Sequence, residues 1–231
     1  MVRIHPPQPI TIYIMNSYIQ PAFATPIYMA RLNGDNRFDK IQNEFQSVFD
    51  DLVAKNKFSN KKFGGNTHLL SNVDFTENLI GDYNLQNFQS ALDDCIKDYL
   101  YQLNFSEGFP RYAITSSWMA LNTPGTFAQQ HSHSYSDISG VYYFKTNGHD
   151  GSIYFENPVR THVGGFITHR INTKVGTLPE VGKIIMFPGW LEHGVDFNTT
   201  EDDRISISFN IDFKRYDDEV LFTNRKSYER K

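Results

Sequence analysis

The sequence predicts a mainly β protein, two sheets facing each other as a jelly roll, with helices ahead of them. Three observations lead there. From residue 111 onward, short runs rich in β-branched and aromatic residues alternate with turn clusters. Upstream, two stretches carry apolar residues at helical spacing. Aromatics make up 15% of the chain, with 19 Phe and 13 Tyr, a surplus suited to pleated, half-buried surfaces.

The first helix is expected over residues 38–56. Phe38, Ile41, Phe45, Val48, Phe49 and Leu52 fall on one face of a 3.6-residue period. The polar, Gly-containing stretch 57–66 (KFSNKKFGGN) breaks it. A second helix is expected over 84–103, with Leu85, Phe88, Leu92, Cys95, Ile96, Tyr99 and Leu103 on its apolar face. Asn84 is its expected N-cap, since its side chain can accept an unpaired backbone N–H.

Strands are expected over 112–121, 126–132, 138–145, 151–156, 166–171, 183–187, 192–197 and 204–213. Asn147-Gly148-His149-Asp150-Gly151 reads as a hairpin-like turn. Thr123-Pro124-Gly125 and Pro188-Gly189 are further turns. No internal repeat stands out. The expected organisation is one domain over 1–231. Residues 15–110 form a helical support, 111–213 the β-core and 214–231 a charged tail. Met15 offers a second start, with 1–14 as an upstream extension.

Composition narrows the function. Lys+Arg is 22 against 26 Asp+Glu, a net charge of −4. Weak acidity argues against generic nucleic-acid binding, which relies on basic patches to neutralise phosphates. Cys95 is the single cysteine, so no intramolecular disulfide can form and a reducing, cytoplasmic compartment is expected. On the apolar face of its helix it reads as a buried structural thiol. No run approaches the length of a membrane-spanning helix.

The histidines carry the chemistry. His131 and His133 form an H-x-H pair within GTFAQQHSHSYSDISGVYYF. In a strand i and i+2 point to the same face, so both imidazoles are expected to project together from one strand into the sandwich interior. His193 follows 62 residues after His131, at the end of GKIIMFPGWLEH, on a strand that a jelly roll can bring alongside. Three neutral imidazoles on one side of a metal leave positions open for substrate and oxygen. Alone, each histidine is ordinary, and His5, His68, His149, His162 and His169 read as solvent or loop residues. Arg204 opens the strand RISISFN, on the same face as Ser206. Turned into a cavity, its planar fork can grip a carboxylate through two parallel N–H···O bonds. Turned outward, it would pair with Glu201 or Asp202.

These segments resemble one family. His131-x-His133, Ser139 to Tyr143, Phe155 to Pro158, Gly182 to His193 and Arg204 to Asn210 are similar in order and spacing to the 2-oxoglutarate/Fe(II)-dependent dioxygenases. The nearest group is that of bacterial and phage oxygenases related to the prolyl hydroxylases. The resemblance covers residues 112–213 well and, with weaker motifs, extends upstream to the segment from Phe23 to Tyr28. It implies a double-stranded β-helix, a cupin-like jelly roll, holding one Fe(II). It also implies 2-oxoglutarate as co-substrate, molecular oxygen, and hydroxylation of a substrate coupled to decarboxylation of 2-oxoglutarate to succinate.

By position, His131 and His193 are the implied metal ligands, and Arg204, Ser206 and Tyr143 the implied partners of the distal carboxylate. The chain departs from the family at the second ligand, where H-x-D or H-x-E is usual. Here either His133 ligates or Asp137 substitutes, and i+2 geometry, which points His133 inward with His131, favours His133. Trp118, Phe127 and Phe187 are candidates to wall the pocket. The loop 162–173 and the segment 57–76 are candidates for the substrate mouth.

Two other readings use the same residues. Gly125, His131, His133, Asp137 and His193 approximate two cupin motifs, which would make a metal enzyme without 2-oxoglutarate and leave Arg204 idle. A non-catalytic jelly-roll binding or virion-associated module would need no metal at all.

Overall fold

The computed structural model describes residues 24–55, 62–63, 67–69, 78–105, 110–158 and 173–214. In chain order the elements are β1 (Tyr28–Arg31), α1 (Phe38–Ala54), β2 (Lys62–Phe63), β3 (Thr67–Leu69), α2 (Leu79–Asp82) and α3 (Gln86–Gln102). The β-core follows as β4 (Tyr112–Asn122), β5 (Ala128–His131), β6 (Ile138–Lys145), β7 (Ile153–Glu156), β8 (Lys174–Thr177), β9 (Lys183–Pro188), β10 (His193–Val195) and β11 (Arg204–Phe213). They form a seven-stranded sheet, β1-β9-β6-β11-β4-β3-β2, facing a four-stranded sheet, β5-β10-β7-β8. All ladder pairings are antiparallel. This is the jelly roll the sequence predicts, with a modest helical part ahead of it.

Strand alternation divides the large sheet into two chemistries. Toward the helices point Tyr142 and Phe144 of β6, Ile184 and Met186 of β9, and Ile205, Ile207 and Ile211 of β11. They pack on Ile41, Phe45, Val48 and Leu52 of α1 and Phe88, Leu92 and Ile96 of α3. Phe45 sits 4.8 Å from Phe88 and 5.4 Å from Tyr142, ring to ring, and Phe88 lies 5.2 Å from Tyr142. Fully burying one such side chain contributes about 1.5–3 kcal/mol, so this layer holds the helices to the sheet. Toward the small sheet point Val141 and Tyr143 of β6 and Ile185 and Phe187 of β9, against Ile153, Phe155 and Leu191.

The two long helices fall where the periodicity predicts, and Cys95 is buried as expected. The cap of α3 differs. Asn84 does not cap it; with φ of 51° it sits in the left-handed turn that leaves α2. Leu85 is the cap residue and offers no side-chain acceptor. Instead the Glu44 carboxylate, from α1, accepts the Asn87 and Phe88 backbone N–H groups at 2.8 and 3.0 Å. A carboxylate there also suits the positive end of the helix dipole.

β1 and α2 are not foreseen by the pattern, and β2 lies in the stretch read as a break. Three or four residues carry too little periodicity; neighbours make these elements. Asn78 and Ser117 dock α2 onto β4 through the Ser117 hydroxyl, which accepts the Ile80 N–H and donates to Asn78. β8 appears at 174–177, whereas the strand expected over 166–171 lies outside the described residues. Among the described residues no helix is long and apolar enough to cross a membrane.

Candidate metal centre

His131 and His193 meet because they are register partners. β5 and β10 pair antiparallel with His131 opposite His193, and the ring centroids lie 4.4 Å apart. His133 arrives differently from the prediction. β5 ends at His131, so His133 does not share a strand with it. It stands in the turn that follows, where its N–H donates to the Gly189 carbonyl at 2.7 Å and its own carbonyl accepts from Ser136 N–H at 2.9 Å. Gly189 must be glycine for this. A Cβ there would overlap the Ser136 carbonyl oxygen and lie 2.7 Å from that of His133. The Pro188-Gly189 turn is thus the seat on which the His133 loop rests.

The three rings close on one point. Their ligand nitrogens all lie within 4.8 Å of one another. The His133 ring stacks on Trp118 at 5.8 Å and 12°, which fixes its plane from behind. His131 Nδ1 faces the Gln129 carbonyl at 2.7 Å, and His193 Nδ1 faces that of Leu191 at 2.9 Å. A carbonyl only accepts, so each Nδ1 carries the proton and Nε2 presents the lone pair. This is the tautomer a metal needs, held by the outer partner.

Burial keeps these rings neutral. It lowers the His131 pKa; with repulsion from His131 added, it lowers His133 to about 4 and His193 to about 3. Neutral imidazoles in this number suit a first-row divalent ion such as iron. The donor set therefore fits Fe(II), though among the described residues no carboxylate joins the cluster. Asp137, the alternative ligand, is not part of it: its carboxylate accepts the Phe213 N–H at 2.7 Å.

The rings line a cavity of about 80 Å³ between the two sheets, and the other predicted residues line it with them. Arg204, Ser206 and Tyr143 all do, with Ser206 opposite Tyr143 in the β11–β6 register. Trp118 and Phe187, two of the three aromatic candidates, wall it. Phe127 does not; its ring packs on Phe197 at 4.3 Å. Alternation could also have singled out Ser208, two residues beyond Ser206 on the same strand, which lines the cavity too.

Arg204 is 1% exposed. It does not pair outward with Glu201 or Asp202. Its Nη1 donates to the Asp150 and Gly151 carbonyls at 2.8 and 2.6 Å, and the Asp150 carboxylate stands 3.8 Å away. Its Nε is buried and has no hydrogen-bond partner among the described residues. A buried, unsatisfied donor on a cation costs free energy until an acceptor arrives. In a cavity such a donor is free to receive an anionic ligand. Burial lowers the Arg204 pKa, opposed by Tyr143 and Asp150, and raises that of Tyr143 to about 12. His149 is exposed in its turn, as expected, and His68 falls in β3 rather than a loop. His5, His162 and His169 lie outside the described residues.

The β-core is similar to known proteins. Residues 116–210 match a family model described as "Putative 2OG-Fe(II) oxygenase". No curated protein matches the sequence. Among solved structures, a prolyl-4-hydroxylase from Pseudomonas putida superposes with TM-score 0.54 at 12% identity, over 82% of this chain and 94% of that one. A prolyl hydroxylase from Trichoplax adhaerens, solved with a hypoxia inducible factor peptide fragment, gives 0.53 at 13%, over 81% and 83%. HygX from Streptomyces hygroscopicus, solved with nickel and 2-oxoglutarate, gives 0.53 at 13%, over 82% and 83%. At such identities the likeness establishes the fold. Residues 116–210 match the oxygenase family model, and the solved neighbours share the jelly-roll fold, in line with the resemblance read from the sequence.

Proposed function

We propose that the chain is a 2-oxoglutarate- and Fe(II)-dependent hydroxylase, with His131, His133 and His193 as the metal ligands. One observation carries the reading. Three imidazoles whose ligand nitrogens lie within 4.8 Å of one another share a cavity with a buried guanidinium whose Nε has no partner. When bound, Fe(II) supplies the redox chemistry that couples reduction of dioxygen to decarboxylation of 2-oxoglutarate, giving succinate, carbon dioxide and a hydroxylated substrate.

The chain's own residues bind and orient. The outer bonds of His131 and His193 keep Nε2 available, and Trp118 holds the His133 plane. Arg204 receives the distal carboxylate of 2-oxoglutarate through its unsatisfied edge. The hydroxyls of Ser206 and Tyr143 add neutral donors; with a pKa near 12, Tyr143 keeps its proton at neutral pH. Trp118, Val141 and Phe187 exclude water, which strengthens each of these interactions. An imidazole in place of the usual carboxylate leaves the metal site one unit more positive, which favours an anionic co-substrate. The single cysteine argues for a reducing, cytoplasmic setting.

The test is anaerobic titration of the Fe(II)-loaded protein with 2-oxoglutarate, followed by its visible charge-transfer band, together with succinate release in air across substrate pools. Band and succinate are both expected, and both lost in His193→Ala. A metal-loaded protein that gives no band overturns the reading.

A further inference from the structure

The cationic end of the cavity is built by a turn that the proposed reaction does not itself use. Residues 146–152 join β6 to β7, and Asp150 within them is completely buried. Its carboxylate does not grip Arg204 closely. It folds back on its own turn, accepting Thr146 Oγ1 at 2.8 and 2.7 Å and the Asn147 N–H at 3.0 Å. Thr146 Oγ1 in turn accepts the Gly148 N–H at 2.9 Å. The outcome is an internally hydrogen-bonded turn whose Asp150 and Gly151 carbonyls both accept from Arg204 Nη1. Gly151 makes this approach feasible. Its φ of +102° is one that side chains rarely adopt, and a Cβ there would overlap the Asp196 carbonyl oxygen and come within 3.1 Å of Arg204 Nη1.

Among the described residues, every hydrogen bond of the Arg204 guanidinium runs through Nη1. A guanidinium is planar, so tethering one corner by two carbonyls fixes the whole fork. The Nε–Nη2 edge, which can grip a carboxylate with two parallel bonds, is therefore aimed before any ligand arrives. Pre-organisation of this kind raises affinity by removing the ordering cost from the binding step.

We propose that Thr146, Asp150 and Gly151 are positioning residues for Arg204, and that this turn sets the preference for a keto acid with a second, distal carboxylate. The inference rests on the reading of Arg204 given above. It separates two properties of one ligand: the turn governs the grip on the distal carboxylate, while the histidines govern the keto-acid head.

The experiment compares 2-oxoglutarate with 2-oxobutyrate, which has the same keto-acid head and no distal carboxylate. Each is titrated anaerobically into the Fe(II)-loaded protein, with the charge-transfer band as readout. Gly151→Ala should lower the affinity ratio of 2-oxoglutarate to 2-oxobutyrate by about tenfold, and Thr146→Val by about threefold, with 2-oxobutyrate affinity nearly unchanged. Arg204→Ala is the reference and should collapse the ratio. If Arg204→Ala collapses it and Thr146→Val leaves it intact, the positioning role is wrong while the Arg204 reading stands. If Arg204→Ala leaves it intact, the reading of Arg204 falls first. A loss of affinity for both acids alike marks general damage and also overturns the proposal. Should Gly151→Ala fail to fold, Thr146→Val, which keeps size and charge, decides alone.

Discussion

The two faces of the seven-stranded sheet come from the same strands and do opposite work. On β11, Ile205, Ile207 and Ile211 join the apolar layer under the helices, while Arg204, Ser206 and Ser208 line the cavity. On β6, Tyr142 and Phe144 take the first side and Ser139, Val141 and Tyr143 the second. The helix face is filled and satisfied. The cavity face holds polar groups at the cost of an unpaired guanidinium nitrogen. Stability is thus concentrated on one side of each strand, which lets the other side keep a site that is unfavourable until filled.

That contrast can be broken from either side. The largest effect is expected on the helix face. Phe45→Ala should cost about 3–5 kcal/mol in denaturant unfolding, because the ring is fully buried among Phe88, Tyr142 and Phe144. Metal affinity of the folded fraction should hold. A mutant that unfolds normally but loses metal would show the faces to be coupled.

His193→Ala attacks the other face. Metal affinity, measured by equilibrium dialysis, should fall by about 100-fold or more, with far less change in unfolding free energy than Phe45→Ala. Retained metal would remove His193 from the ligand set.

The same imidazoles make the metal-free protein sensitive to acid. His133 and His193 are lowered to about 4 and 3 when folded, against about 6.5 for a free histidine. On acidification the unfolded chain takes up these protons first. Their contribution is therefore flat above about pH 6.5 and turns against folding as pH falls from there toward 3–4. Thermal melting of metal-free protein from pH 8 to 4 should show this decline, and His193→Ala should flatten it. A decline of equal slope in both would assign it to carboxylates elsewhere.

The smallest effect is expected for Ser206→Ala. Removing one neutral hydroxyl should change stability by less than about 1 kcal/mol and weaken 2-oxoglutarate by about fivefold. An unchanged affinity would leave Arg204 and Tyr143 as the carboxylate partners.

Much of this is legible in the chain itself. Helical and strand periodicities mark α1, α3 and the long strands, because each repeats its pattern over enough residues to stand out. Alternation along RISISFN is enough to put Arg204 and Ser206 on one face. Short elements are not legible: β1 exists because β9 offers it an edge, and α2 because Ser117 and Asn78 hold it. Nor is the cap of α3, since Glu44 lies more than forty residues away and nothing local marks it.

The sequence by itself determined which side chains can do the chemistry: three histidines, an arginine and a hydroxyl-bearing strand, in an order that a jelly roll can gather. Only the tertiary structure decided how they are aimed. His133 is brought in by a hydrogen bond to Gly189 rather than by strand geometry, and Arg204 is turned inward by two carbonyls more than fifty residues upstream. The physical reason is common to both. Backbone carbonyls are the same at every position, so no residue type announces which one will be within reach once the strands pair.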